Sequence, residues 1–339
     1  MFSAPTVPIK FRIYIYLNPS SDLMGYEVEV IDIEEASELR SKYKDMKSFS
    51  SKADIFGLCV EFLTEDRDHQ EMWGDNFYSM SEDIRAHAKI YSIKDPSYGL
   101  KVLFEPMTNT AFLFNFDYYG WIKSIALGIS GNILEEAHGT YSVHGAVLDI
   151  DGKGVTLIAP SKTGKTTQSW GLLRLKNTHL ISDDWYFVKL GTGRPFAYSS
   201  EKNCYIDADI GDVWEEYKPL VSHVKFDNNG RGIANIRWVA GESSVIPMTK
   251  IRFVFLLKRD AGDRVPIRKL SPEEGLAYLL KNDLCNPHQI IWNAHKEKIR
   301  SNFFSEFLSN CEIYLVNTIK TAQETQELIR NIINSCDVI

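Results

Sequence analysis

Short stretches of alternating apolar and polar residues fill the first third of the chain, a pattern that is typical of β-strands. In Gly25–Ile33, three apolar side chains fall on one face and two glutamates on the other. The pattern also predicts a helix over Glu34–Lys44 and a buried apolar run over Ile55–Leu63. Further strands are predicted over Lys10–Leu17, Ala88–Ile93, Leu100–Glu105 and Thr110–Phe116. Together these elements predict a smaller N-terminal α+β domain over residues 1–118.

The hydrophobic period then changes to that of a helix. Over Tyr119–His138 apolar residues recur every three or four positions, which predicts a helix with one buried face. After it, strands are predicted over His144–Ile150, Val155–Ala159 and His179–Ser182, with a helix over Thr166–Leu175. This alternation predicts the α/β class, with a mixed, largely parallel sheet, in a second domain over residues 119–339. Later elements are predicted as strands over Lys250–Lys258 and Glu312–Asn317, and as helices that begin at the Ser271 capping box and at Ala322.

Composition and charge exclude several classes of function. Of the 339 residues, 44% are hydrophobic and 24% are charged, as in an ordinary folded protein. The net charge of −7 disfavours a general nucleic-acid binder, which needs a basic surface. No apolar run reaches the roughly 18 residues of a membrane span, and the N-terminus lacks the layout of a signal peptide. Five cysteines without a C-x-x-C pair predict reduced thiols in a cytoplasmic protein, not a disulfide framework or a zinc site.

The segment Ala159–Thr166 matches the phosphate-loop pattern G-x-x-x-x-G-K-[ST] at every motif position but the first, where alanine replaces glycine. Because it lies between a predicted strand and a predicted helix, it has the setting in which such loops occur. Backbone N–H groups of the loop would surround a phosphate chain, and the helix N-terminus would add partial positive charge. Lys165 would reach the β- and γ-phosphates, and the Thr166 hydroxyl would hold Mg²⁺. The predicted nucleotide-binding residues are Ser161, Lys162, Thr163, Gly164, Lys165, Thr166 and Thr167.

Two consecutive aspartates, Asp183 and Asp184, follow the apolar strand His179–Ser182. Carboxylates at the end of such a strand lie at the sheet edge where ligands bind in open α/β folds. One carboxylate could hold Mg²⁺, and the other could orient and deprotonate an attacking hydroxyl. Acidic pairs are also common turn formers, so the phosphate loop one helix upstream is what favours a chemical role.

The stretch from Tyr141 to Asp184 resembles the HPr kinase/phosphorylase family. It has the family's elements in the family's order, which are His144-Gly145, Gly152-x-Gly154-Val155, the phosphate loop, and an apolar strand that ends in Asp-Asp. The resemblance implies a phosphate-loop core of the HPr kinase/carboxykinase type, with ATP and Mg²⁺ as cofactors. Phosphoenolpyruvate carboxykinase is similar in the loop and the Asp pair, but that enzyme is much longer than this chain.

The same resemblance implies a role for each matching residue. Asp183 would be the general base toward an acceptor hydroxyl, and His144 would lie near the transferred phosphate. Lys165 would bind the phosphates, while Thr166 and Asp184 would hold Mg²⁺.

Other segments depart from the family pattern. Asn229 stands where the family has a carboxylate before Arg-Gly, so Glu201 and Lys202 are candidates for a replacement acid and a basic contact. Arg231 and Arg237 lie in a glycine-containing segment that could act as a lid and supply a guanidinium to the developing charge, or could be an exposed turn. The chain lacks a match to the family's HPr-contacting stretch, which disfavours HPr as the acceptor.

The sequence therefore favours an ATP- and Mg²⁺-dependent kinase that transfers the γ-phosphoryl group to a serine-like hydroxyl of a small molecule, peptide or protein. Two alternatives remain: a nucleotide-binding regulator that lacks catalysis, and a carboxykinase-like enzyme. GTP and pyrophosphate stay open as donors. No nucleic acid or membrane is expected as a partner, and the resemblance leaves room for a homo-oligomer. The N-terminal domain is the expected source of acceptor specificity.

Overall fold

The computed structural model describes residues 25–335 and the backbone of Arg12–Tyr14. The remainder of the strand predicted over Lys10–Leu17 lies outside the described residues. The chain divides into two compact units. The first comprises the described residues within Met1–Trp73, Ser79–Ile129 and Pro287–Trp292, and the second those within Gly74–Tyr78, Ser130–Asn286 and Asn293–Ile339.

The elements follow the chain in this order. The strands are β1 (Arg12–Tyr14), β2 (Glu27–Val30), β3 (Phe49–Ile55), β4 (Leu58–Thr64), β5 (Tyr78–Ser79), β6 (Ala88–Ile93), β7 (Lys101–Glu105), β8 (Thr110–Phe114), β9 (Thr140–His144), β10 (Ala146–Ile150), β11 (Lys153–Ile158), β12 (Thr178–Ser182), β13 (Trp185–Lys189), β14 (Phe196–Ser199), β15 (Cys204–Asp207), β16 (Arg231–Ala234), β17 (Met248–Lys258), β18 (Ile267–Leu270) and β19 (Glu312–Asn317). The helices are α1 (Ile33–Lys42), α2 (Arg67–Asn76), α3 (Tyr119–His138), α4 (Lys165–Leu172), α5 (Ile210–Val213), α6 (Lys218–Val221), α7 (Arg237–Ala240), α8 (Pro272–Lys281), α9 (Ala294–Ser309) and α10 (Ala322–Ser335).

Most of the first unit is an eight-stranded mixed sheet in the order β1-β2-β7-β8-β6-β4-β3-β5. The strand predictions over Ala88–Ile93 and Thr110–Phe116 are confirmed to within two residues, as is the helix over Tyr119–His138. A hairpin turn interrupts the apolar run Ile55–Leu63, because Phe56 and Gly57 both have positive φ and join β3 to β4. The apolar core between the sheet and α1 consists of Ile31, Ala36, Leu39, Ile93, Leu103, Phe112 and Phe114.

The second unit confirms the α/β class but corrects the prediction of a largely parallel sheet. Its nine-stranded sheet runs β12-β10-β11-β17-β14-β13-β9, with β19 and β18 continuing from β17. In the described residues, only the β11–β17 and β17–β19 pairings of this sheet are parallel. The reason is the two-residue turn Asp151–Gly152, in which both φ angles are positive, because it folds β10 back against β11 as a hairpin.

The position of β10 also explains which loops meet. Since β10 is antiparallel to both β11 and β12, those two strands run in the same direction with β10 between them. The carboxyl ends of β11, β12, β17 and β19 therefore lie at one edge of the sheet. Both motifs singled out in the sequence, the phosphate loop and Asp183-Asp184, follow strands that end at this edge.

The strand predicted over His144–Ile150 is in fact two strands. The strand is interrupted at Gly145, between β9 and β10. The Gly145 N–H donates to the Asp184 carbonyl at 2.9 Å and not to a neighbouring strand of the sheet ladder. A Cβ at this position would lie 2.8 Å from the Leu157 carbonyl oxygen, so only glycine fits the close approach. The break places His144 at the end of β9, beside the end of β12.

Two further features bear on the sequence predictions. The Ser271 capping box is present, with the Ser271 side chain accepting from the Glu274 N–H. Four cysteines are free thiols, as predicted, and Cys336 lies outside the described residues. Between residues 25 and 335 the chain contains no helix with the length and apolarity that a membrane crossing requires.

Candidate active site

The loop between β11 and α4 has positive φ angles at two positions. Lys162 has φ 63° and Gly164 has φ 92°, a left-handed conformation that glycine adopts without strain. Gly164 is the N-cap of α4 and offers no capping side chain to the N–H groups of the first helical turn. These donors and the helix dipole make the start of α4 suited to an anion.

Two hydroxyl groups hold the loop in this shape. The Thr163 Oγ1 donates to the Pro160 carbonyl at 2.7 Å, closing the turn from within. The Thr318 Oγ1 donates to the Thr163 carbonyl at 2.8 Å, and Thr318 directly follows β19 at the same sheet edge. Thr318 was not predicted, because its only sequence signal is its place at the end of an apolar strand.

Three predicted site residues come together at the start of α4. Lys165 Nζ lies 2.6 Å from Asp184 Oδ1 and 3.2 Å from His144 Nε2, and His144 Nε2 lies 3.2 Å from Asp184 Oδ1. The Lys165 side chain is only 11% exposed and that of Asp184 27%. The contact therefore joins a largely buried ammonium to a carboxylate that solvent still reaches.

The other imidazole nitrogen of His144 meets the backbone. The Nδ1 atom is hydrogen-bonded to the Cys285 carbonyl oxygen. Cys285 ends the single helical turn Asp283–Cys285, which has left-handed φ angles at three consecutive residues that are not glycine. Burial raises the pKa of the Cys285 thiol to about 12. No pattern in the sequence predicts this turn, since glycine and asparagine are absent from it.

Asp183 faces a small cleft. The Asp183 residue is 3% exposed and lines the cleft together with Glu201 and Lys202. Glu201 Oε1 accepts from the Asn76 amide at 2.9 Å. Lys202 Nζ donates to the Gly74 carbonyl at 2.6 Å, and burial lowers the pKa of this ammonium. The remaining lining residues are Leu180, Ile181, Ser182, Asn203, Cys204 and Val245.

The two predicted arginines differ in their surroundings. Arg231 Nε lies 2.7 Å from Asp207 Oδ1, and the two residues face each other across the β15–β16 ladder. Burial raises the pKa of Asp207, the Arg231 charge opposes that shift, and the negative charge of Asp184 adds to it. Asp207 is thus an acidic group near Asp184 that the sequence analysis did not single out. It ends the strand β15, much as Asp183 and Asp184 follow the end of β12.

Arg237 is a structural contact in this arrangement. Its Nη1 donates to the Lys202 carbonyl at 3.1 Å, and its Nη2 lies 3.3 Å from the Tyr78 hydroxyl. These bonds tie α7 to the segment that carries Glu201 and Lys202. The interpretation of Arg237 as a lid residue stays a prediction.

The remaining residues of the loop predicted to bind phosphate differ in their exposure and contacts. Ser161 and Lys162 are exposed, and Thr166 is half-buried. The Thr167 carbonyl accepts from the Trp214 indole N–H at 2.9 Å, which fixes the first turn of α4. Within residues 25–335 there is no group of three or more His, Cys, Asp or Glu side chains able to hold a metal ion. Thr166 and Asp184 still fit Mg²⁺, because that ion usually takes one or two protein ligands and completes its shell with phosphate and water.

Comparisons with known proteins give a distant likeness to solved structures. No protein-family model matches the chain, and no curated protein matches it. Among solved structures, the Hpr(Ser) kinase/phosphatase from Coxiella burnetii aligns over 58% of this chain and 92% of its own, with 14% sequence identity and a TM-score of 0.35.

Proposed function

We propose that this protein binds a nucleoside triphosphate with Mg²⁺ and transfers its γ-phosphoryl group to a hydroxyl. The observation that carries the proposal is the Lys165 ammonium 2.6 Å from Asp184, at the start of a helix that follows a left-handed Gly164 turn. A lysine, a carboxylate and a helix N-terminus at one sheet edge supply the cation, the metal ligand and the amide donors of a phosphate site. The resemblance of residues 141–184 to the HPr kinase/phosphorylase family supports the same reading.

Binding would rest on the loop and on Lys165. The N–H groups of Ser161–Gly164 and of the first turn of α4 would donate to the phosphate oxygens. Lys165 would exchange part of its contact with Asp184 for the β- and γ-phosphates, which carry more negative charge than one carboxylate. The donor is proposed as ATP, with GTP and pyrophosphate as the alternatives that a binding assay separates.

Thr166 and Asp184 would hold Mg²⁺ at this site. The ion would neutralise the charge that develops on the transferred group. Asp207 lies close enough for its pKa to respond to the Asp184 charge, so it adds negative potential for a cation without being assigned as a ligand.

Transfer would use Asp183 as the base. The acceptor oxygen would form a bond to the γ-phosphorus while the bond from that phosphorus to the β–γ bridging oxygen breaks, and the nucleoside diphosphate would leave. The acceptor proton would pass to the Asp183 carboxylate. The acceptor hydroxyl would approach through the cleft beside Asp183, which Glu201 and Lys202 also line. The acceptor is proposed as a primary alcohol such as that of serine, carried by a small molecule, peptide or protein.

A second candidate is a nucleotide-binding regulator without transfer. It is favoured by the 3% exposure of Asp183, since a base that solvent barely reaches is also hard for an acceptor to reach. The two candidates share the nucleotide site and differ only in whether phosphoryl transfer occurs.

Calorimetry with Mg²⁺-ATP tests the shared site. Wild-type protein is expected to bind, Lys165→Met to lose at least tenfold in affinity, and Lys176→Met, which removes an exposed lysine just after α4, to bind like wild type. If the wild-type protein binds neither ATP, GTP nor pyrophosphate at millimolar concentration, both candidate functions are wrong.

Transfer is tested with γ-labelled ATP and a set of alcohols that contains free serine, free threonine and seryl peptides. Asp183→Asn should bind nucleotide like wild type and lose transfer by about 100-fold or more, because a general base contributes at least that much. An Asp183→Asn variant with undiminished transfer would show that the base is a different group. Binding without transfer to any acceptor in the set, or to water, would favour the regulator.

A further inference from the structure

Three segments of the second unit meet at Thr318, beside the phosphate loop. Thr318 Oγ1 donates to the Thr163 carbonyl at 2.8 Å and lies 3.2 Å from the Lys258 carbonyl. The Thr318 N–H also donates to the Lys258 carbonyl, at 2.8 Å. The junction therefore joins the phosphate loop to the segments that follow β17 and β19. Because these bonds are made to backbone carbonyls, they fix the paths of the three segments relative to one another.

Each of the three segments carries an exposed cation within two residues of the junction. These cations are Lys162 in the phosphate loop, Arg259 after β17 and Lys320 after β19, and together they are called the cationic rim. In the part of the chain that the structure describes, none of the three forms an ion pair. The rim thus presents three solvated positive charges around one end of the phosphate loop.

The carboxylates of the same segments are already bonded within the fold. Asp260 and Asp263 both contact the Lys258 ammonium, at 3.3 and 2.6 Å. Glu324 Oε2 accepts from the N–H and the hydroxyl of Thr321 at the start of α10. Over residues 162, 258–264 and 318–324 together, five cations stand against three carboxylates. The rim is therefore a positive region in a chain whose net charge is −7.

Charges in such a position act mainly before a ligand is bound. They attract a polyanion over a Debye length, ~8 Å in physiological salt, and need no contact with it in the bound state. Rim charges accordingly change the association rate and its salt dependence, whereas buried contacts change the dissociation rate. The acidic remainder of the chain repels a triphosphate, so local attraction at the loop has the greater effect on its arrival.

We propose that the cationic rim is a capture surface for polyphosphate, which steers the phosphate chain into the loop at the start of α4. Lys162 belongs to the loop itself, while Arg259 and Lys320 act on the approaching ligand. The identification of that ligand as a nucleotide rests on the proposed function, whereas the capture of a polyphosphate does not.

Stopped-flow fluorescence with Mg²⁺ and N-methylanthraniloyl-ATP measures association and dissociation separately in the full-length protein. Arg259→Gln/Lys320→Gln should lower the association rate constant about three- to tenfold and leave the dissociation rate constant within about twofold of wild type. The control Lys176→Gln/Lys298→Gln removes the same charge from two exposed lysines, one just after α4 and one on α9, and should associate like wild type. An equal loss in the control would assign the effect to net charge and overturn the inference.

The salt dependence of association gives a second readout. Between about 20 mM and about 300 mM NaCl the wild-type association rate should fall more steeply than that of Arg259→Gln/Lys320→Gln, and the two should converge at high salt, where the charges are screened. Parallel salt curves would contradict steering by the rim. So would a loss of affinity that lies entirely in the dissociation rate.

Tripolyphosphate separates this inference from the proposed function. If wild type binds tripolyphosphate but not Mg²⁺-ATP in calorimetry, and Arg259→Gln/Lys320→Gln weakens tripolyphosphate binding by the same three- to tenfold, capture stands and the nucleotide site is wrong. If wild type binds Mg²⁺-ATP and the double variant associates at the wild-type rate, the proposed function stands and capture by the rim is wrong. A wild-type protein that binds neither ligand would refute both.

Discussion

Lys165 Nζ lies 2.6 Å from Asp184 Oδ1, although 18 residues and a helix separate the two in the chain. The contact follows from the sheet, since β11 and β12 run in the same direction on either side of β10 and end at one edge. A phosphate that binds at the loop must compete with the Asp184 carboxylate for this ammonium. The affinity for a nucleotide would therefore depend on whether Asp184 keeps its contact with Lys165 when a phosphate binds.

Replacing Asp184 by asparagine should affect binding in opposite directions with and without magnesium. Without Mg²⁺, Asp184→Asn frees Lys165 from its carboxylate and should tighten ADP binding about tenfold, equivalent to ~1.4 kcal/mol. With Mg²⁺, the same variant loses a metal ligand and should bind Mg²⁺-ADP more weakly than wild type. Calorimetry with ADP in EDTA and in excess Mg²⁺ measures both, and Asp212→Asn, an exposed aspartate on α5, is the charge-matched control. Weaker binding under both conditions would mean that Asp184 does not restrain Lys165.

Removing the Thr318 hydroxyl should loosen the phosphate loop. Thr318 Oγ1 donates to the Thr163 carbonyl at 2.8 Å and lies 3.2 Å from the Lys258 carbonyl. Thr318→Val keeps the shape of the side chain but leaves the Thr163 carbonyl without that donor, at an expected cost of about 1–2 kcal/mol in the free energy of unfolding. Mg²⁺-ATP affinity should fall with it, and Thr318→Ser, which keeps the hydroxyl, should restore both. Urea denaturation and calorimetry measure the two effects, and a Thr318→Ser protein as impaired as Thr318→Val would show that the hydroxyl alone does not hold the loop.

The sequence was sufficient for the motifs that depend on local pattern. The order of strand, phosphate loop, helix and Asp183-Asp184 is a short-range signal, and it correctly predicted that Asp184 lies at the sheet edge with the loop. The largely parallel sheet was wrong because the hairpin turn Asp151–Gly152 inserts β10 between β11 and β12. That pairing is decided by the whole sheet and not by the period of any one strand.

Other parts of the site could not be predicted from the pattern of the sequence. The Asp207–Arg231 pair joins residues on two strands that are 24 positions apart in the sequence, and only the β15–β16 register brings them together. The left-handed turn at Asp283–Cys285 contains no residue type that favours positive φ strongly enough to mark it. Backbone of this kind is held by its surroundings, so the sequence of the turn itself does not disclose it. Acceptor selection by residues 1–118 stays a prediction.

The Cys285 thiol should be inert in the folded protein and should link stability to pH. Burial raises its pKa to about 12, the nearby Asp283 adds to the shift, and the charge of Lys165 opposes it. A raised thiol pKa means that the fold retains a proton which the unfolded chain releases near pH 9. The contribution of Cys285 to stability is thus present below pH 9 and is lost as the pH rises toward 12.

Two measurements check this. At pH 8 a disulfide reagent should modify Cys285 only after unfolding, which peptide mapping of the labelled protein reveals. Between pH 8 and about 10.5, the free energy of unfolding of wild type should fall more steeply than that of Cys285→Ala, by roughly 1–2 kcal/mol. Rapid labelling of Cys285 in the native protein would contradict the raised pKa of its thiol. So would a free energy of unfolding that falls equally with pH in wild type and Cys285→Ala.

A buried ion network should make Glu135 one of the most sensitive positions for stability. Glu135 lies 2.9 Å from Lys296 and 3.2 Å from Arg300, and all three side chains are at most 7% exposed. Arg300 also donates to the Ser142 carbonyl at 2.7 Å, which anchors β9 two residues before His144. Glu135→Gln leaves the buried Arg300 guanidinium facing a neutral amide, while Lys296 keeps only its contact with Glu136, so we expect a loss of about 3–5 kcal/mol in the free energy of unfolding.

The control for that variant is a carboxylate on the same lysine. Glu136 also contacts Lys296, at 2.5 Å, but its side chain is 49% exposed, so Glu136→Gln should cost less than about 1 kcal/mol. Urea denaturation of the two variants isolates burial as the cause, because both remove the same charge from the same helix. Raising the salt concentration should leave the Glu135→Gln cost nearly unchanged, since a buried pair is screened far less than an exposed one. Similar losses for the two variants, or a Glu135→Gln cost that salt abolishes, would show that the network is effectively solvated and does not hold β9 in place.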